Sequence, residues 1–296
     1  MPTRHIAFIG LGAMGGAMAE TLARKQFRVT GYDQRPEAIA HLEKHGGKAS
    51  ASAEEAARGA DMLILMVVNA DQAEHVLFED DALEALKPDA TVVVCSTCAP
   101  DRIEMIAKRV EKTGRKFVDA PVSGGVTGAK AGTLTIMAAA RKDVFENARP
   151  VLAAMGSSLF HLGEKPGQGA EMKVVNQLLC GIHITAAAEG LAFAERAGID
   201  PQVALDVLSG SAAQSWMLKA RGPRMVDYDN VVTSAVDIFV KDLALVLDAG
   251  RAAKMGLPLT AAAHQLFLAA SAMGHGIEDD SQVIETYRAL LKKRTD

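Results

Sequence analysis

The sequence predicts an α/β Rossmann-type doubly wound sheet domain followed by an all-α domain built around a long helix. Three observations predict it. In the first half, short apolar runs alternate with helical patterns, as in a parallel sheet made of strand-helix-strand units. A glycine-rich stretch, Gly10-Leu11-Gly12-Ala13-Met14-Gly15, stands between the first such run and the first helix. After the breaker-rich loop Gly163-Glu164-Lys165-Pro166-Gly167, strand patterns vanish and helices take over.

Taken in order, residues 4–9 read as the first strand, 14–25 as the first helix and 28–32 as the second strand. A helix follows over 36–45, and strands over 62–67, 90–95 and 116–119 are separated by helices over 70–78 and 100–113. Pro36 and Pro100 suit the first turns of their helices, where no backbone N–H is needed. Strands over 133–138 and 158–161 enclose a helix over 144–155. Beyond the breaker loop, helices are expected over 169–197, 201–209, 233–255, 259–273 and 281–293. The 296 residues thus divide into a dinucleotide-binding domain, 1–164, and a helical substrate and oligomerisation domain, 165–296.

With 49% hydrophobic and 23% charged residues and a formal net charge of −4, the composition is that of a soluble globular protein. No basic tract points to nucleic acid, and the cationic run Lys292-Lys293-Arg294 reads as a solvated helix end. Neither a secretory signal nor a membrane-spanning apolar stretch is read. Cys95 and Cys98 match Cys-x-x-Cys, but no second pair completes a zinc site, so a reduced, cytoplasmic compartment is expected. His41 and His45 have the spacing of a metal pair on one helix face, yet no third ligand lies near them in sequence, so they read as helix surface and no metal is assigned.

The glycines of Gly10 to Gly15 permit a tight turn, close approach to a pyrophosphate and close helix packing. Asp33, with Gln34 beside it, ends the second strand about 20 residues on, where a carboxylate accepts from the adenosine ribose hydroxyls. That carboxylate would repel a ribose phosphate, which favours NAD over NADP, although Arg35 partly offsets the repulsion. Ser96 and Thr97 follow the fourth main strand, either as hydroxyls for the nicotinamide ribose or as helix-capping residues before Pro100. Ser123-Gly124-Gly125 offers a hydroxyl and exposed N–H groups, a concavity that suits a carboxylate. Lys173 stands in the first turns of the long helix, with Asn176, Gln177 and Cys180 three, four and seven positions on and so on its face. The helix pattern alone leaves Lys173 undecided between a functional amine and a side chain snorkelling to solvent. Lys241-Asp242, inside an apolar helix, reads locally as an interface ion pair or a second functional cation.

Together, Gly-Leu-Gly-x-Met-Gly, Ser-Thr at 96 and 97, Asp-Ala-Pro-Val-Ser-Gly-Gly at 119–125, Gly-x-Gly-x-x-x-Lys-x-x-Asn at 167–176 and Lys-Asp at 241 and 242 resemble the β-hydroxyacid dehydrogenases. The resemblance spans nearly the whole chain in order. It implies a Rossmann domain joined to an all-helical one, hydride transfer between NAD and a small hydroxy acid, and Lys173 as general acid/base. It further implies that Ser123, Gly124 and Gly125 take the substrate carboxylate, and that Val67, Val68, Thr97 and Lys241 contact the cofactor. Asn176 matches the first amide after the lysine; Gln177 stands where many relatives carry a second Asn, and Val68 where Pro is common. The residues around Asn176, over 131–137 and at Trp216 are most similar to the sugar-acid branch that acts on L-threonate. 3-Hydroxyisobutyrate and tartronate semialdehyde are the alternative substrates. A dinucleotide-binding scaffold without catalysis would keep Gly10 to Gly15 and lose the lysine. Ala-rich helices and the resemblance imply a homodimer or homotetramer.

Overall fold

The structure, a computed structural model, describes residues 4–291, with side chains to Ala289. The chain folds as two compact units, Met1–Lys173 and Val174–Asp296. Among the described residues the first unit is built on nine strands: β1 His5–Ile9, β2 Arg28–Tyr32, β3 Lys48–Ala49, β4 Met62–Leu65, β5 Thr91–Val94, β6 Lys116–Asp119, β7 Val122–Ser123, β8 Thr135–Ala139 and β9 Ser158–Gly163. They lie in the order β3-β2-β1-β4-β5-β6-β8-β7, with β9 on β8. The run from β3 to β6 is parallel, β8 is antiparallel to β6 and β7, and β9 runs parallel to β8.

Helices cover both faces of this sheet, so each central strand is a continuous apolar run. Side chains alternate between the faces: Ile6, Phe8, Ile64, Val93 and Val118 enter one core with Met18, Leu22 and Phe145. Ala7, Ile9, Leu63, Leu65, Val92 and Val94 enter the other with Ile103 and Ile106. Strand order reverses between β1 and β4, and the carboxyl ends of those two strands are where ligands of such sheets bind.

Several short elements go beyond the sequence reading: β3, β7 and the helices Ala53–Ala57, Ala82–Ala85 and Gly125–Ala131. Two-residue strands exist only because a neighbouring strand supplies their ladder, which no local pattern records. The helix at Ala53 did have a local sign. The Ser52 hydroxyl accepts from the Glu55 N–H at 3.0 Å, and the Glu55 carboxylate accepts from the Ala51 N–H at 2.6 Å, close to the capping-box pattern.

The long helix spans Gln168–Arg196, and from Val174 onward its residues belong to the second unit. With it come helices Pro201–Gly210, Trp216–Val226, Val236–Ala252, Pro258–Ala270 and Ile284–Leu291, a π turn at Ser271–His275 and a 3₁₀ turn at Asp280–Val283. Ile184, Ala188, Leu191, Phe239, Leu243, Phe267, Val283 and Ile284 form its core. Gly181 lets the helices meet, since a Cβ there would stand 2.6 Å from Leu243 Cδ2. The helix Trp216–Val226 is absent from the sequence reading because Gly222 and Pro223 sit inside it. Leu205 packs against Gly222, where a Cβ would stand 2.4 Å from Leu205 Cδ1 and displace that side chain. The cationic run Lys292-Lys293-Arg294, and the end of the helix expected over 281–293, lie outside the described residues.

One expectation is corrected here. Among the described residues, Gln168–Arg196 is long and apolar enough by length and composition to cross a membrane. Its apolarity has another cause, because Val174, Ile184, Ala188, Leu191 and Ala192 turn one face into the core of the second unit.

Candidate active site

At the carboxyl ends of β1, β2 and β4 lies a groove of about 700 Å³. Its walls include Gly10, Gly12, Asp33, Gln34, Val67 and Val68, six of the residues expected to hold a dinucleotide. The three glycines play different parts. Gly10 has φ +89°, and a Cβ there would stand 2.5 Å from the Met66 carbonyl oxygen. A Cβ on Gly15 would stand 1.9 Å from the Gly10 carbonyl oxygen, so these two are demanded by the protein's own packing. Gly12, the N-cap of helix Ala13–Arg24, differs: the nearest atom to a Cβ there is Arg35 Nη2 at 3.6 Å. The protein leaves space at Gly12 and opens it to the groove, a cradle that a side chain would fill and a pyrophosphate fits. Leu11, Ala13, Met14 and Gly15 shape the turn without lining the groove.

Asp33 is held ready at its rim. Its carboxylate accepts from the Leu11 N–H at 2.7 Å, from the Arg35 N–H at 2.9 Å and from Arg35 Nε at 3.0 Å. Burial alone would raise this carboxyl, but the bonds from Arg35 and Leu11 outweigh it and keep it below the usual carboxylate range. An ionised acceptor beside the glycine turn suits ribose hydroxyls. Arg35 sits close enough to the same place to neutralise it in part.

The turn after β4 is fixed from the side. Ser96 is 2% exposed, and its hydroxyl accepts from the Val67 N–H at 3.0 Å. The Ser96 hydroxyl so holds the turn after β4. It does not cap the next helix: Pro100–Glu111 has Ala99 at its N-cap, with no side-chain cap. Thr97 is half-buried just beyond β5. Cys95 and Cys98 are both buried, and burial, with the Asp119 carboxyl nearby, pushes Cys95 up to about 12, far from a reactive thiolate.

The end of β6 organises the second group of residues. Asp119 is 1% exposed, and its Oδ2 accepts from the N–H groups of Gly167 at 3.0 Å and Ala170 at 2.9 Å. A carboxylate thereby caps the start of the long helix, where orphan N–H groups favour an acceptor. Desolvation still dominates and pushes its carboxyl up to about 7, against the pull of those N–H donors. Gly169 must be glycine, since a Cβ would stand 2.5 Å from the Met137 carbonyl oxygen and 2.9 Å from Asp119 Oδ2. The sequence singled out Lys173 and overlooked Asp119 as its anchor. The signal available was that Asp119 opens the run leading to Ser123.

One turn into the helix, Lys173 is 8% exposed, which decides against snorkelling. Its Nζ donates to the Val122 carbonyl oxygen at 2.8 Å. The amine is thus placed beside β7 and the Ser123-Gly124-Gly125 loop, whose two glycines have φ of +128° and +64°. Such conformations favour glycine and turn the loop's backbone away from an extended course. In the second unit, the helical amides and the Lys-Asp pair form one chain of bonds. Asn176 Nδ2 donates to Gln177 Oε1 at 2.9 Å and to Cys180 Sγ at 3.3 Å. Gln177 Nε2 donates to Asp242 Oδ2 at 2.5 Å, and Lys241 Nζ to Asp242 Oδ1 at 2.5 Å. The Lys241 charge therefore has a partner within its own chain, on a carboxylate 2% exposed.

Residues 5–163 match the family described as the NAD binding domain of 6-phosphogluconate dehydrogenase, and residues 167–287 that described as the NAD-binding of NADP-dependent 3-hydroxyisobutyrate dehydrogenase. The chain is 43% identical over 289 residues to the L-threonate dehydrogenase of Cupriavidus necator, covering 97% of each chain. It is 35% identical over 274 residues to the 3-hydroxyisobutyrate dehydrogenase of Pseudomonas aeruginosa, covering 88% of this chain and 90% of the other. A crystal structure of 3-hydroxyisobutyrate dehydrogenase from Salmonella typhimurium matches with a TM-score of 0.91 at 41% identity, over 96% of this chain and 99% of that one.

Proposed function

The chain belongs to the 3-hydroxyisobutyrate dehydrogenase-like family of NAD(P)-dependent hydroxyacid dehydrogenases, and on that premise we propose that it oxidises L-threonate or a similar sugar acid, with Lys173 as general acid/base and NAD as the preferred cofactor. The observation that carries the reading is the placement of the Lys173 amine, 2.8 Å from the Val122 carbonyl oxygen and beside Ser123. A carboxylate docked on Ser123, Gly124 and Gly125 brings the neighbouring hydroxyl of a short acid within reach of that amine. Lys173 takes the proton from the hydroxyl oxygen during oxidation and returns one to the carbonyl oxygen during reduction. When bound, the nicotinamide supplies the site that accepts or donates hydride.

The residues present fit a dinucleotide: the open space at Gly12 takes the pyrophosphate, and Asp33, with Gln34, the adenosine ribose. Val67, Val68, Thr97 and Lys241 complete the cofactor contacts, while Asn176 and Gln177 take the substrate's further hydroxyls. Two amides suit a polyhydroxy acid better than a branched acid, whose methyl group wants an apolar wall. The preference for NAD rests on Asp33 accepting from Leu11 and repelling a ribose phosphate. Relatives named for L-threonate at 39–43% identity support the substrate choice. We place the enzyme in the cytoplasm as a homodimer or homotetramer.

Initial rates with threonate, glycerate, tartronate semialdehyde and 3-hydroxyisobutyrate, each with NAD(H) and NADP(H), test this. Threonate with NAD should give the highest kcat/KM. A higher value with 3-hydroxyisobutyrate refutes the substrate assignment, and equal use of NADP refutes the role given to Asp33.

A further inference from the structure

From a group of side chains that hydride transfer does not use, we propose that the first unit carries a binding site for a divalent transition ion of the zinc class, made by Glu20, His41 and His45. The proposal is independent of the substrate reading. His41 lies in the last turn of helix Pro36–Lys44 and His45 is its C-cap, so the two imidazoles fall on one face, with ring centroids 4.6 Å apart and planes 35° from each other. Sequence spacing marks this pair but supplies no third ligand. The fold does, because Glu20 on helix Ala13–Arg24 stands across from them.

Glu20 Oε1 lies 2.6 Å from His41 Nδ1 and 3.9 Å from His45 Nδ1. One ligand atom from each of the three residues lies within 4.8 Å of the others. The carboxylate is mostly covered, its side chain 12% exposed, while the imidazoles are 59% and 39% exposed and open to an ion arriving from solvent. His45 Nδ1 donates its N–H to the His41 carbonyl oxygen at 2.9 Å, so this ring would ligate an ion through Nε2, or through Nδ1 once that bond is given up.

In the ion-free state one proton shared between Glu20 and His41 satisfies that pair, and the His41 carbonyl oxygen takes the N–H of His45. A cation satisfies all three donors together. Two imidazole nitrogens and a carboxylate oxygen suit Zn²⁺, Co²⁺, Ni²⁺ or Cu²⁺, with water in the remaining position, whereas Ca²⁺ and Mg²⁺ prefer all-oxygen sets. Zinc bonds of about 2.0–2.2 Å in a tetrahedron set neighbouring ligands roughly 3.3 Å apart. The separations of 2.6 and 3.9 Å lie on either side of that distance, within reach of side-chain rotation. The ion would clamp the helix that begins at the glycine turn to the helix that follows Asp33 and Arg35.

The test is calorimetric titration of metal-stripped, tag-free full-length protein with ZnCl₂, beside His41→Ala, His45→Ala and Glu20→Gln. The parent should bind about one equivalent, and each variant should bind at least about tenfold more weakly. Zinc should raise the parent's Tm in proportion to its saturation of the site, and that of His41→Ala much less. His41 is exposed, so its variant tests binding without disturbing the core. Zinc held as tightly by the two histidine variants as by the parent, or no binding at tens of micromolar Zn²⁺, overturns the proposal.

Discussion

Replacing Gly169 by alanine should uncouple turnover from cofactor binding. The added Cβ would stand 2.5 Å from the Met137 carbonyl oxygen and 2.9 Å from Asp119 Oδ2. Ordinary carbon–oxygen contacts need about 3.3 Å, so the first of these demands a shift of about 0.8 Å. Met137 is held in the β8–β9 ladder, and the Asp119 carboxylate is 1% exposed and tied to Gly167 and Ala170. The start of the long helix has to yield instead. Overpacking of this kind costs about 1–3 kcal/mol, which lowers Tm by roughly 2–12 °C in a protein of this size. Lys173 is one turn further on, and a misplacement approaching 1 Å costs about a hundredfold in rate. The assay is kcat on the best acid beside cofactor affinity by fluorescence titration and Tm by calorimetry. Turnover should fall by about two orders of magnitude, while affinity stays within about threefold because Gly10, Gly12 and Asp33 stand on other strand ends. Turnover within threefold of the parent, with Tm unchanged, would refute the claim that Asp119 and Gly169 position the lysine.

Lys173→Ala should lower turnover on the order of a hundredfold or more with cofactor binding retained, and a near-normal rate removes its acid/base role. Asp119→Asn should change how stability depends on pH. The Asp119 carboxyl ionises near 4 in the unfolded chain and near 7 in the folded one, so its contribution is greatest below pH 4 and declines as pH rises to 7. At 1.36 kcal/mol for each tenfold the decline is at most about 4 kcal/mol, and the variant should lack it in urea melts at pH 4.5 and 7.5. A parent–variant difference equal at both pH values contradicts this. Asp280→Ala strands the Arg221 guanidinium, which is 7% exposed and bonded to Asp280 at 2.8 and 3.1 Å, and should cost about 3–5 kcal/mol. The double replacement Arg221→Met with Asp280→Leu should cost much less, and equal losses in urea unfolding would show that the stranded charge is not the cause.

Much of the first unit was legible because its requirements are local. Strands buried on both faces must be apolar throughout, and β1, β4 and β5 read that way in Ile6 to Ile9, Met62 to Leu65 and Val92 to Val94. Gly10 and Asp33 followed from the turn and the strand end, whereas Lys173, undecided on the helix pattern alone, was singled out by the ordered set of motifs along the chain. The elements that escaped have their causes elsewhere in the chain. β7 depends on pairing Val122 with Ile136, and helix Trp216–Val226 on the space that Leu205 takes beside Gly222.

The sequence by itself determined the alternation of the main strands and helices in the first half, the helical second half, the glycine turn with its acidic partner, and the residues proposed for a hydroxyacid site. Those are matters of periodicity and backbone freedom within a few residues. Only the tertiary structure decided which residue serves which. It spent Ser96 on the Val67 N–H, joined Lys241 to Gln177 through Asp242, and brought Glu20 to His41 and His45. It also set Asp119 against Ala170 and Lys173 against Val122, each 51 residues apart. A hydrogen bond needs its two atoms within about 3 Å, and over such separations only the packed sheet and helices bring them that close.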